Sequence, residues 1–173
     1  VGAAAGVGTT TIGYATVIGR SAMRGIATAA ADGTVAVGYE ALRALTSGER
    51  NLAIGYVSTK ALTDGDDNVM IGYNAASAAN SSGFSYNVGV GNYVFDGFSS
   101  GVSAAYNTAI GHAALSGVLT DDADYNTAIG HNALNGLTSG DNNVALGSGA
   151  GGALTTGHRN ILIGKQAGDA MTT

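Results

Sequence analysis

The chain has 173 residues, enough for one ordinary domain, with 29 Gly, 31 Ala and no Pro, Cys or Trp. Without cysteine there is no disulfide framework, thiolate zinc site or iron–sulfur cluster. Charged residues make up only 11%, the net charge is −5 and the seven Lys and Arg are scattered, which argues against binding nucleic acid; no apolar run approaches the roughly 18 residues that would insert in a membrane.

In chain order, residues 1–12 form a Gly- and Ala-rich lead-in or cap, and 13–173 form a single repeat array whose most divergent coils lie at 73–125. After TTTIG and ATVIG, ending at Gly13 and Gly19, the units read TVAVG, NLAIG, NVMIG, NVGVG, NTAIG twice, NVALG and NILIG. Their closing glycines are Gly38, Gly55, Gly72, Gly91, Gly111, Gly130, Gly147 and Gly164, spaced by 17, 17, 19, 20, 19, 17 and 17.

Numbering each unit from its glycine as zero, position −1 carries Ile54, Ile71, Val90, Ile110, Ile129, Leu146 and Ile163, and −3 is mostly β-branched or Leu. That alternation predicts a short strand with −1 and −3 as an inward ladder, leaving the small −2 residues on the opposite face for another layer or chain. Position −4 is Asn in seven consecutive units (Asn51, Asn68, Asn87, Asn107, Asn126, Asn143 and Asn160), predicted to make a corner through local backbone bonds and left-handed conformations.

A second apolar row at +7, running from Leu45 and Leu62 through Phe98 and Val118 to Met171, predicts a second inward ladder on a short helical or irregular segment. A unit this short cannot bury its own apolar face, so coils must stack. The predicted fold is all-β or mostly β: a β-solenoid of about nine coils of 17–20 residues. Each coil has a thin core, so a parallel homotrimer is the expected form, and no cap is visible after Gly164, so the array is expected to continue or to stack end to end.

Among polar groups, His112 and His131 share position +1 of adjacent units and are weak metal candidates, although no carboxylate accompanies them in the motif and the expected reading is no metal and no cofactor. Tyr39, Tyr56 and Tyr73 occupy the same position as a row able to meet sugars or merely pack. The segment 84–106 concentrates aromatic residues in two long units, which makes Tyr93, Phe95 and Phe98 further binding candidates. No nucleophile–base pair or paired carboxylates fall in a common register, so no catalytic residues are assigned and the chain is not expected to be an enzyme.

The string NTAIGHNALNGLTSGDNNVALGSGAGGALTTGHRNILIG resembles the NTAIG-type repeats of bacteriophage tail fibres and bacterial fibre adhesins and, more distantly, the head repeats of trimeric autotransporter adhesins. The resemblance implies a trimeric β-solenoid, extracellular or on a virion surface, that projects or forms an element binding a receptor or cell-surface glycan. The alternatives are an ice-binding or other surface-binding solenoid, or a filament-forming subunit. A Thr row at +8 (Thr46, Thr63, Thr138, Thr155, Thr172) is the feature that ice binding would use, but it is interrupted by Asn80, Ser99 and Leu119.

Overall fold

The computed structural model describes residues 5–6, 14–25, 31–80, 82–98, 101–119 and 123–173. Most of the predicted lead-in, 1–4 and 7–12, lies outside them. The described residues are all-β: β1 (Thr16–Ile18), β2 (Val35–Val37), β3 (Leu52–Ile54), β4 (Val69–Ile71), β5 (Phe84–Ser85), β6 (Val88–Val90), β7 (Ala104–Ala105), β8 (Thr108–Ile110), β9 (Thr127–Ile129), β10 (Val144–Leu146) and β11 (Ile161–Ile163). Nine of these form one parallel sheet in the order β1-β2-β3-β4-β6-β8-β9-β10-β11, and β5 and β7 form a separate two-stranded sheet. The chain is a parallel β-solenoid.

Register follows the sequence repeat. Val35 pairs with Leu52, Leu52 with Val69, Val69 with Val88, and Val88 with Thr108. The added residues of the longer units therefore leave the main ladder unbroken; β5 and β7 occupy the corner just before the Asn row in two of those units.

The strands face opposite to the expectation. Position −2 is the buried one, with Ala36, Ala53, Met70, Ala109, Ala128 and Ala145 essentially without solvent contact. The −1 row points outward: Ile110 is 39% exposed, and Ile54, Val90, Leu146 and Ile163 are exposed too, while Ile71 and Ile129 are half-buried. Size explains the inversion. The core is filled from the other side of the coil by +4 and +7 residues such as Leu42, Leu45, Leu134 and Leu137, and the narrow space left beneath the sheet suits alanine.

No helix occurs among the described residues; the segment after each glycine is a run of turns in which positions +2 and +4 take left-handed backbone, as at Glu40 and Leu42 (φ 52° and 49°) or Asn132 and Leu134 (φ 56° and 50°). The two left-handed residues point their N–H groups to opposite neighbours, while the residue between them bonds within its own coil. Val57 N–H donates to Tyr39 O on one side and Thr59 N–H to Ala75 O on the other, both at 2.8 Å. A helix would have used these donors internally, whereas here they bind coil to coil. The +7 ladder is buried at Leu45, Leu62, Ala79, Phe98, Leu137 and Leu154, but Val118 is exposed and its neighbour Leu119 takes the inward place; Met171, in the last coil, is exposed.

The Asn row turns inward and stacks. Asn68 Nδ2 donates to Asn51 Oδ1 at 3.0 Å, and the Asn68 backbone N–H donates to that same oxygen at 3.1 Å. Its other amide hydrogen goes to Phe84 O at 2.9 Å. The pattern repeats at Asn87, Asn107, Asn143 and Asn160. These bonds join neighbouring coils and are not local, and the left-handed residue is the one before the Asn, as at Tyr86, Tyr106 and Tyr125 (φ 58–61°).

Candidate functional site: an outward sheet face between aromatic columns

With alanines beneath it, the main sheet presents its larger residues outward as two rows, −3 (Val35, Leu52, Val69, Val88, Thr108, Thr127) and −1 (Val37, Ile54, Ile71, Val90, Ile110, Ile129). The strands repeat in register along the face, which is almost free of charge. None of the 19 charged residues of the chain stands at −3, −2, −1 or the closing glycine. The glycine itself is fixed by the stack. At Gly72 (φ 146°) an added Cβ would lie 2.2 Å from Gly91 O, so the row beside the face admits no side chain.

A column of rings runs along the +1 edge, joined in one coil by Tyr93 from +2. Tyr39, Tyr56 and Tyr73 stack at centroid distances of 5.0 and 5.2 Å with planes 16° and 8° apart. Tyr73 meets Tyr93 edge-on at 5.4 Å, Tyr93 meets His112 at 5.5 Å, and His112 stacks on His131 at 5.5 Å. Six rings are thus continuous, and the Arg20 guanidinium sits 5.8 Å from the Tyr39 ring. Because each stacked tyrosine covers its neighbour's face, the column offers edges and hydroxyls and not open ring faces. The histidines belong to this packing column; the described residues contain no group of three or more His, Cys, Asp or Glu able to hold a metal.

A second column, which the spacing of the closing glycines did not single out, borders the other edge. Tyr86, Tyr106 and Tyr125 stack at 4.8 and 4.9 Å with planes 1° apart. The signal was present as Tyr-Asn at the head of three successive units. Phe95 and Phe98 do not join the site: both are buried with Phe84, at centroid distances of 5.8 and 5.0 Å from it. Of the candidates in that segment, only Tyr93 is exposed.

The turn residues are engaged in the stack as well. Thr46 Oγ1 donates to Thr63 O at 2.8 Å and Thr138 Oγ1 to Thr155 O at 3.0 Å, so these hydroxyls of the +8 row bind the next coil. In the acidic turn, Asp66 accepts from Glu49 N–H at 2.8 Å, and Asp67 holds Arg50 through two bonds of 2.7 and 2.9 Å. That guanidinium lowers the Asp67 carboxyl below its ordinary range despite partial burial.

Fold and face together define a parallel β-solenoid with one broad apolar surface. Comparison with family models, curated proteins and solved structures finds no match.

Proposed function

We propose that the chain is a non-enzymatic structural and adhesive fibre module of the phage tail-fibre or surface-adhesin type, assembled as a parallel homotrimer and displayed outside the cell or on a virion. The outward sheet face carries the reading. Nine strands at about 4.8 Å give a length of about 40 Å, and the span from the −5 column to the +1 column is about 20 Å, or about 800 Å² per chain. That matches what each partner contributes to an ordinary stable interface and exceeds the largest apolar patch usual on a monomer. Three such faces around one axis bury the Ile, Val and Leu rows, place the aromatic columns in the seams and thicken a core that is narrow in the single chain. The sparse charge and the NTAIG-type repeats support the same assignment.

Native mass spectrometry tests it. The expected species is three copies of the 16.9 kDa chain. A fully folded monomer persisting at micromolar concentration would remove the proposal.

A further inference from the structure

Position +5 follows a row of its own along the solenoid, and in three successive coils it is cationic: Arg24, Arg43 and Lys60. The fourth cation of this edge, Arg20, lies against Tyr39. The one acid among them is Glu40, shared between Lys60 at 3.2 Å and Arg43 at 3.5 Å. Among the described residues no carboxylate reaches Arg24. Four cations and one carboxylate thus gather on one edge of a chain whose net charge is −5. The patch is bounded, because the row continues as Ser77 and Asp96, which bond each other at 2.7 Å.

Between the two arginines lies an open depression of about 300 Å³ lined by Arg24, Gly25, Arg43 and Ala44. Its floor is held low by the stack: a Cβ on Gly25 would stand 2.5 Å from Leu45 O. Adjacent guanidinium forks over a small-residue floor suit oxyanions that accept two parallel bonds, such as carboxylate or sulfate. The cations recur at the strand spacing of about 4.8 Å, so the matching ligand is extended along the rod and carries repeated charge.

We infer that this edge binds an acidic polysaccharide, whose anionic groups lie on Arg24, Arg43 and Lys60. Nucleic acid fits less well, since bases need free aromatic faces and a duplex needs a broader basic footprint than three coils supply. An anionic membrane fits less well too, because the row is one residue wide. The inference rests on the fibre reading for its purpose, since a displayed edge is where a surface glycan would be met.

The test is titration of the intact, assembled protein with polygalacturonate oligomers, heparin oligosaccharides, uncharged dextran, duplex DNA and phosphatidylserine-containing vesicles. Binding to one or both acidic polysaccharides is expected, weakening as salt rises, with none to dextran; the first two probes separate carboxylate from sulfate. Arg24→Ser combined with Arg43→Ser should weaken it by about tenfold or more while mass and melting are unchanged. Arg159→Ser with Lys165→Ser should leave it intact. Binding to dextran, preference for DNA or vesicles, no polyanion binding, or an unaffected arginine double variant would each overturn the inference. A monomer that binds would remove the trimer and leave the edge, whereas a trimer that does not bind would remove the edge alone.

Discussion

Gly89 and Phe95 fill one space between them: a Cβ on Gly89 would lie 3.0 Å from Phe95 Cδ2 and 2.6 Å from Met70 Sδ. They stand at −2 and +4 of the same unit, and other units share that space differently, as Ala109 with Leu115, Met70 with Ala76 and Leu162 with Gly168. Gly89→Ala should therefore destabilise by about 1–3 kcal/mol through overpacking. Adding Phe95→Leu, which recreates the Ala109 and Leu115 pairing, should recover part of the loss. Thermal melts of both single variants and the double variant form the cycle; strictly additive effects would disprove the shared space.

The asparagine ladder makes a second prediction. Asn87 accepts from Asn107 N–H and donates to Ala104 O and Asn68 Oδ1, all within 3.2 Å. Asn87→Ala strands buried partners on both neighbouring coils, at about 1–3 kcal/mol for each group left unsatisfied. The expected loss is several kcal/mol, with hydrogen exchange accelerated at Asn107 and Ala104 before it is at the ends of the array.

Val57 is a β-branched residue held at φ 49°, in the place where other units carry Asn74, Asn132 or Gly149. Left-handed backbone costs such a residue about 1–2 kcal/mol, and asparagine tolerates it. Val57→Asn should raise the melting temperature; a fall would mean that the packing of Val57, which is largely buried, outweighs the strain.

Adjacent residues of β8 separate folding from assembly. Ala109 is wholly buried and Ile110 faces out. Ala109→Asp should abolish the native circular dichroism signal, since a charge beneath the sheet has no partner. Ile110→Asp should keep that signal in dilute solution but shift the native mass from the proposed trimer to a monomer. Equal loss of structure in both would mean that folding and association cannot be separated.

Acid stability has a defined contributor in Asp67. Its carboxyl titrates below the ordinary 3.8 in the folded chain, chiefly through the bonds to Arg50. A depressed folded value means that the stabilisation is complete above the unfolded value and disappears as pH falls through the folded one. The melting difference between wild type and Asp67→Asn should stay constant from neutrality to about pH 4 and shrink below it. High salt should reduce it, because the pair is partly exposed.

The repeat, its strand, the parallel stacking and the buried +7 row were readable, because an apolar residue returning at a fixed distance from glycines such as Gly111 and Gly130 marks a chain that stacks on itself coil by coil. The direction of the strand faces was not. Bulk at Ile110 argued for the inside, and only the leucines crossing from +4 and +7 show that Ala109 is all the space admits. Nor was the helical option excluded by sequence: Leu134 and Leu137, at +4 and +7, are three apart as on one helical turn, and the left-handed φ at Leu134 comes from bonding to the next coil. At the candidate site, the Tyr39–Tyr56–Tyr73 row was legible, whereas the burial of Phe95 depends on the room that Gly89 leaves for it across the coil, which spacing alone does not reveal.

From Asn51 to Asn160 each coil meets its successor through the same two sockets, an asparagine oxygen and a glycine carbonyl, whatever the length of the corner between them. The array is therefore a ruler graduated in whole coils. Excising residues 131–147 joins Gly130 to Ser148, brings Asn160 over Asn126 in the place of Asn143, and shortens the rod by one strand spacing of about 4.8 Å. Reach becomes a quantity that changes in steps by duplication or loss of a unit, without redesign of the rows on either side.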